Sequence, residues 1–282
     1  MVMDLRKLIE SIEKFSPLRL AVPGDFVGIQ VGPQDSVVQE RTKIRKCVLT
    51  RCATPQVIIK ATNKGANAIV AYQGILPHPV KALTDGLLDK IRLLIENKMV
   101  LYVVHTSWLS AECGINDTLA ELLRLVVEES FSVELRGKTF PLGRICIFDR
   151  TVEQNMPNDG SNISLSDFVT MVGYRLATNQ INYVGSSQSQ VKKILLLAGE
   201  YGEPNLLRLA KSVGVDTYVT GNISSQVAML SNELKMNYIC VANDPIESIG
   251  MSRLMQLLRI DAPEVEFLFI ESGSLWKRYD PK

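Results

Sequence analysis

Short apolar strands alternate with amphipathic helices along this chain of 282 residues, and this alternation restricts the folds that it can adopt. The strand KCVLT is followed by Thr54 and Pro55, a capping hydroxyl and a first-turn proline. The helix that starts there runs to Gly65, and the strand AIVAY follows, which completes a βαβ unit. A helix over 87–97, the strand VLYVVH and a helix that opens near Asn116 continue the pattern. We predict an α/β fold in which mixed sheets are flanked by helices. The helix that opens near Asn116 carries four apolar residues on one face: Leu119, Leu122, Leu123 and Val126.

The second half of the chain repeats the supersecondary unit of the first half. The segment IRKCVL at 44–49 is echoed by VKKILL at 191–196, and NKGANAIVAYQG at 63–74 is echoed by KSVGVDTYVTGN at 211–222. Any two βαβ units share a helix-ending glycine and branched residues in their parallel strands, so the likeness also has a general explanation. We favour an internal duplication.

A polar segment separates the two halves. The stretch TVEQNMPNDGSN at 151–162 predicts a surface loop or linker, and the α/β rhythm resumes with a helix that Ser164 can cap. We predict two related α/β domains, one over 1–135 and the other over 136–282. It stays open whether the segment from about residue 240 packs back on the first domain. Because ligands of open α/β sheets bind beyond the carboxyl ends of the strands, we expect a site in a cleft between the domains. Its expected neighbours are His105, Thr106 and Asn222.

The composition excludes several classes of partner. The formal net charge is +1, with lysines and arginines scattered along the chain, so no basic surface for nucleic acid or an anionic membrane is expected. No segment approaches the length of a membrane span, and the mixed-charge start MVMDLRKLIESIEKF lacks the features of a signal peptide. Five cysteines without a CxxC pair favour free thiols. A cytoplasmic location is therefore the expectation.

Several motifs together resemble one known family. The segments are GDFVGIQVG, AYQG, HTSWLSAECGIND, GRICIF, TGNISSQ and NDPIES, in that order, and the match of the third to the pattern HTxxxxAxxGxND is the most specific. The chain resembles the Nif-three-like (YbgI-like) family, whose members are often named type 2 homologues of GTP cyclohydrolase 1. The resemblance covers nearly the whole chain. It implies a two-domain α/β protein, a toroidal homo-hexamer and a pair of divalent metal ions where the domains meet.

The family's metal ligands are replaced at most positions in this sequence. The resemblance implies ligands at five positions, which here hold Tyr72, Gln73, Leu109, Asn243 and Glu247. Leucine cannot bind a metal, and neutral amide oxygens lack the charge of a carboxylate and the softness of imidazole. Two adjacent dications need several anionic or imidazole donors, and one carboxylate is too few. We therefore expect no metal cofactor.

The two histidines offer little to replace these ligands. His105 matches the histidine of the family's His-Thr motif, and no carboxylate follows it before Glu112, because the family's acid position is Leu109. We interpret His105 as a hydrogen-bonded structural residue that could still accept a proton in a polar pocket. His78, between two prolines, is expected in an exposed loop. Trp108 is interpreted as a buried aromatic residue rather than a stacking platform.

Two functional hypotheses follow from the residues and the resemblance. The first is a non-catalytic member of the family that keeps the fold as a binding or assembly scaffold. The second is a hydrolase acting on a nucleotide or a pterin-like molecule, either without metal through His105 and Glu247 or with a single hard cation. That cation would be held by Glu247, Gln73 and Asn243. Whether the protein is an enzyme stays open, and we favour the scaffold.

Overall fold

The computed structural model describes residues 2–76, 80–149 and 163–273. The chain divides into two compact units. Unit 1 consists of 1–108 and 251–282, and unit 2 consists of 109–250. The segment 151–162 and His78, for which surface loops are predicted, lie outside the described residues.

The helices and strands alternate along most of the described chain. The strands are β1 Met3–Asp4, β2 Gly28–Val31, β3 Lys43–Ile44, β4 Lys46–Cys52, β5 Ala68–Gln73, β6 Val100–Val103, β7 Leu125–Leu135, β8 Lys138–Phe148, β9 Ile181–Val184, β10 Ile194–Leu196, β11 Thr217–Thr220, β12 Asn237–Val241 and β13 Glu266–Phe269. The helices are α1 Leu5–Phe15, α2 Ser36–Arg41, α3 Pro55–Asn63, α4 Asp85–Glu96, α5 His105–Ser110, α6 Ile115–Leu122, α7 Leu165–Arg175, α8 Pro204–Ser212, α9 Ser225–Glu233 and α10 Asn243–Asp261, with a 3-10 turn at Leu18–Leu20.

Capping side chains fix where several helices begin. The Thr54 hydroxyl accepts a hydrogen bond from the backbone N–H of Val57 at 3.3 Å, and Pro55 occupies the first helical position of α3. The Ser164 hydroxyl accepts from the backbone N–H of Asp167 at 3.2 Å at the start of α7. These bonds satisfy backbone donors that have no partner inside the helix. Both helix starts agree with the sequence prediction.

The described residues of unit 1 form a five-stranded sheet in the order β13-β4-β5-β6-β2. The first four strands run parallel, and β2 pairs antiparallel with β6. The central strands are buried along almost their whole length, as expected for parallel strands covered on both faces. A cluster of buried apolar residues in this core includes Val48, Val57, Ile58, Ile69, Leu94 and Leu101.

The described residues of unit 2 form a six-stranded sheet in the order β7-β8-β10-β11-β12-β9. Strands β10, β11 and β12 run parallel, and β8 and β9 pair antiparallel at their two sides. The long strands β7 and β8 form a hairpin whose turn is made by Arg136 and Gly137, both with positive φ. The domain boundary that we predict after residue 135 falls at this turn, within the unit formed by 109–250.

The two units share the topology of four of their strands. Each has an antiparallel edge strand followed by three parallel strands joined by helices: β2 with β4, β5 and β6 in unit 1, and β9 with β10, β11 and β12 in unit 2. Both units are mixed α/β sheets, which confirms the predicted fold class.

The residues that match in sequence also make equivalent hydrogen bonds in the two units. Asn67 accepts a hydrogen bond from the backbone N–H of Arg45 at 3.2 Å, and Asp216 accepts from the matching N–H of Lys192 at 3.1 Å. Each of these side chains ties the start of the second strand of its βαβ unit to the start of the first strand. The matched glycines before them, Gly65 and Gly214, have φ of 74° and 82°, a conformation that glycine adopts without strain. These shared details support duplication over chance likeness.

The prediction for the segment after Leu122 is wrong in one part. The helix α6 ends at Leu122, and Val126, which we predicted on its apolar face, lies in β7 with 43% of its surface exposed. The chain leaves the helix through Arg124, whose φ is 54°. Apolar residues at helical spacing cannot reveal where a helix ends if branched residues follow directly.

A buried polar network holds the start of α6 against the sheet of unit 2. Asn116 is fully buried and donates to the carbonyl oxygens of Leu109 and Leu142, at 3.1 and 2.7 Å, while its own oxygen accepts from the backbone N–H of Ala198 at 2.9 Å. Beside it, the guanidinium of Arg144 contacts Asp117 at 2.5 Å. The Arg144 side chain is 4% exposed, so its charge is desolvated and depends on this carboxylate.

The substitution Asp117→Ala is expected to destabilise the protein by about 3–5 kcal/mol, because it leaves the Arg144 charge buried with only carbonyl partners. Urea unfolding followed by circular dichroism measures the loss. The control is Asp89→Ala, which removes an exposed ion pair with Arg92 and is expected to cost less than about 1 kcal/mol. Equal losses in the two variants would contradict this role of the buried pair.

No helix among the described residues has both the length and the apolar character needed to cross a bilayer.

Candidate functional site

The carboxyl ends of β5 and β6 carry the candidate site residues of unit 1. Tyr72 and Gln73 end β5, and His105 follows β6 as the first residue of α5. Because β5 and β6 are parallel neighbours, these side chains emerge at the same edge of the sheet. The Tyr72 and His105 rings are in contact, with centroids 5.1 Å apart.

His105 has a carboxylate partner that comes from a distant part of the sequence. Its Nδ1 lies 2.8 Å from Oδ1 of Asp25, a residue 80 positions earlier in the chain. The Asp25 side chain is 14% exposed and the His105 side chain is 38% exposed. The carboxylate is thus largely enclosed, while the imidazole still reaches solvent.

Thr106 fixes the position of Asp25. The backbone N–H of Thr106 donates to Oδ2 of Asp25 at 3.1 Å, and the Thr106 hydroxyl donates to the same oxygen. The Thr106 hydroxyl also accepts from the backbone N–H of Val22 at 3.1 Å. The loop before β2 is therefore tied to the start of α5, and both carboxylate oxygens have defined partners.

These contacts set the charge of Asp25. Burial acts to raise the pKa of its carboxyl group, but the hydrogen bond and charge of His105 and the bonds from Thr106 outweigh this effect. The pKa of Asp25 is held below its ordinary value of 3.8. At neutral pH this carboxylate is ionised and accepts hydrogen bonds from its neighbours.

The other two candidate positions of unit 1 are enclosed by protein contacts. Tyr72 is 3% exposed. The side-chain oxygen of Gln73 accepts a hydrogen bond from Sγ of Cys52, at 3.2 Å, on the neighbouring strand β4. Neither residue offers an anionic donor.

The candidate positions of unit 2 are also engaged in the packing of their own unit. Leu109 is fully buried, and Glu247 in α10 is 3% exposed. The side-chain oxygen of Asn243 accepts from the backbone N–H of Gly199 at 3.2 Å. Asn243 packs directly on Gly221, where an added Cβ would lie 1.7 Å from the Asn243 oxygen. Position 221 must be glycine while Asn243 keeps this place.

Asn222 serves the loop that follows β10. Its side-chain oxygen accepts from the backbone N–H of Gly202 at 2.6 Å, and its carbonyl oxygen accepts from the Tyr238 hydroxyl at 2.7 Å. Tyr218 binds the same loop through the carbonyl oxygen of Tyr201, at 2.8 Å. Asn222, expected as a neighbour of a ligand cleft, is placed here by contacts that shape the backbone.

The donor set at the five family ligand positions does not fit a pair of divalent ions. It offers one carboxylate, one phenol, two amides and one aliphatic side chain, and both amide oxygens already accept hydrogen bonds. Across residues 2–76, 80–149 and 163–273, no group of three or more His, Cys, Asp or Glu side chains is placed to hold a metal ion.

The most specific sequence motif, HTSWLSAECGIND, serves the fold at both of its ends. Thr106 ties α5 to the loop that carries Asp25, and Asn116 and Asp117 hold α6 to the sheet of unit 2. Trp108, between them, is fully buried, as expected for a packing role.

Residues 3–274 match the family model described as Duf34/NIF3 (NGG1p interacting factor 3). The chain belongs to this family. Among curated relatives, a "GTP cyclohydrolase 1 type 2 homolog" of Methanocaldococcus jannaschii is 27% identical over 261 residues, covering 91% of this chain and 95% of the relative. A protein of the same name from Clostridium perfringens is 27% identical over 274 residues, covering 94% of this chain and 95% of the relative.

Solved structures agree with the fold of this Duf34/NIF3 protein. Reduced HcgD from Methanocaldococcus jannaschii matches with a TM-score of 0.76 at 23% identity, covering 95% of this chain and 98% of HcgD. A Staphylococcus aureus protein matches with a TM-score of 0.81 at 19% identity, covering 99% of both chains. At these identities the likeness establishes the fold alone.

Sequence reasoning missed Asp25. The residues that follow His105 offer no acid before Glu112, and its carboxylate partner lies instead in the glycine-rich segment GDFVGIQVG. The one available signal was that this segment forms part of the family resemblance and contains an acid.

The substitution Asp25→Asn is expected to weaken the dependence of stability on acid pH. Because the folded-state pKa of Asp25 lies below 3.8, its stabilising contribution is complete above that value and is lost as pH falls through the folded pKa. The unfolding free energy of the unsubstituted protein should therefore fall more steeply below about pH 4 than that of the variant. Denaturant unfolding across this range measures both slopes. Asp89→Asn controls for the loss of a surface charge, and parallel curves for all three proteins would contradict the expectation.

Proposed function

We propose that this Duf34/NIF3 protein keeps the family fold as a binding or assembly scaffold and does not hold the family's pair of divalent metal ions. One observation carries the proposal: four of the five family ligand positions hold side chains without a carboxylate or an imidazole. The fifth, Glu247, is a single carboxylate, which cannot offset the repulsion between two dications.

The contacts of the replacing residues support the same conclusion. The oxygen of Gln73 is bound to Cys52, and the oxygen of Asn243 is bound to the backbone of Gly199. While each amide oxygen accepts this hydrogen bond, only one of its two lone pairs is left for a cation. Neutral amide oxygens in existing hydrogen bonds are weak competitors for a dehydrated dication.

Self-association is part of this proposal. By resemblance to the family, we expect a homo-oligomer in the form of a hexameric toroid, in the cytoplasm, with no nucleic acid or membrane as partner. The net charge of +1 allows close association of copies without strong mutual repulsion. Light scattering coupled to gel filtration gives the number of subunits, and a monomer at micromolar concentration would contradict the assembly role.

The second candidate function is a hydrolase that acts on a nucleotide or a pterin-like small molecule. The relatives' name, "GTP cyclohydrolase 1 type 2 homolog", gives the class of substrate to test. The contact between Asp25 and His105 favours this candidate, because a carboxylate that orients an imidazole is a common arrangement for accepting a proton.

Elemental analysis tests the scaffold proposal directly. Protein purified without an affinity tag or chelator is incubated with zinc, manganese or iron salts, separated from free metal and analysed by mass spectrometry. We expect well under one tightly bound ion per chain, because most anionic and imidazole donors are missing. Stoichiometric metal, reduced by Glu247→Gln, would overturn the proposal.

A ligand screen separates the scaffold from the hydrolase. A small molecule that binds only the folded state raises the melting temperature, so GTP and pterins are tested by thermal shift and, in parallel, for hydrolysis. Under the scaffold proposal, a stabilising compound is recovered unchanged, and Glu247→Gln keeps the shift. Turnover that is lost in Glu247→Gln would favour the hydrolase.

A further inference from the structure

The imidazole of His105 is held at one nitrogen and available at the other. Nδ1 lies 2.8 Å from the carboxylate of Asp25. Within the described part of the chain, Nε2 has no hydrogen-bond partner, and the side chain as a whole is 38% exposed. A carboxylate can only accept a hydrogen bond, so the neutral ring must carry its proton on Nδ1. Nε2 then carries the lone pair of the ring.

The ring is also held against rotation. Tyr72 packs on it at 5.1 Å between centroids and a tilt of 49°, and Tyr72 itself is 3% exposed. Asp25, in turn, is fixed by two hydrogen bonds from Thr106. A ring whose partner is hydrogen-bonded and whose packing neighbour is buried has its lone pair oriented in advance, which lowers the entropic cost of binding a ligand there.

We propose that His105, positioned by Asp25, is a metal-independent proton-accepting centre in unit 1, which receives an O–H or N–H group of a small polar ligand, water included. Asp25 acts as a positioning residue, because it holds the tautomer and strengthens Nε2 as an acceptor without touching the ligand. The inference goes beyond the scaffold proposal, deepens the hydrolase candidate at the same Asp25–His105 contact, and depends on unit 1 alone.

Nitrogen NMR tests the tautomer. The chain has two histidines, so the background substitution His78→Asn leaves His105 as the single imidazole. Long-range proton–nitrogen spectra at about pH 8, above the ordinary titration range of imidazole, report which nitrogen carries the proton. We expect the proton on Nδ1 and an unprotonated Nε2. A proton on Nε2 would overturn the proposal without any destabilising variant being needed.

Chemical reactivity tests the positioning role. With diethyl pyrocarbonate, the Nε2 lone pair attacks a carbonyl carbon, a C–O bond breaks and ethyl carbonate leaves. The Nδ1 proton is released through Asp25 to that leaving group, which decays to ethanol and carbon dioxide. In the His78→Asn background, we expect one modified imidazole per chain, and a rate that falls about threefold or more in Asp25→Asn. Asp35→Asn, which removes a carboxylate that caps α2, should leave the rate unchanged.

The direction in which Asp25→Asn changes the modification rate of His105 shows whether Asp25 positions the ring or only supports the fold. If Asp25 only supported local packing, its loss would loosen the site and make His105 react at an equal or higher rate, which would overturn the proposal. The scaffold proposal and this inference can fail independently of each other. Bound metal would contradict the scaffold role, but it would not change the tautomer that we expect from the Asp25 contact.

Discussion

The structure of unit 2 depends on two adjacent side chains at the start of α6. Asn116 uses its amide to bind three separate backbone segments, and Asp117 neutralises the buried charge of Arg144. Buried polar groups are costly unless every partner is present, so these residues permit one arrangement of α6 on the sheet. In this chain the Asn-Asp pair that ends the family pattern therefore has a structural role, whereas four of the five family ligand positions hold side chains without a carboxylate or an imidazole. The pattern describes how the protein folds.

Much of the fold could be predicted from local signals. Thr54-Pro55 and Ser164 marked helix starts because capping depends on residues close in sequence. The repeat was visible because both copies place a glycine and then an oxygen-bearing side chain, Asn67 or Asp216, before the second strand. The end of α6 could not be predicted, because Val126 fits the helical spacing equally well and only the pairing with β8 makes it part of a strand.

The candidate site was less predictable than the fold, because its contacts join distant segments. The family resemblance implied the positions of Tyr72, Gln73 and Asn243, and His105 stood out at the end of an apolar strand. The sequence could not show that Asp25 reaches His105, since nothing local links a loop before β2 to a helix that starts 80 residues later. Nor could it show that the amide oxygens of Gln73 and Asn243 already accept hydrogen bonds. A sequence gives the identity of each side chain, but its hydrogen-bond partners are known only from the three-dimensional structure.

The contact between Gly221 and Asn243 constrains how this protein can change over time. Because a Cβ at position 221 would overlap the Asn243 amide, and that amide holds the backbone at Gly199, residue 221 can gain a side chain only if Asn243 moves or is replaced. The order of substitutions therefore matters, since a change at 221 is expected to be tolerated better after Asn243 has been replaced by a smaller residue.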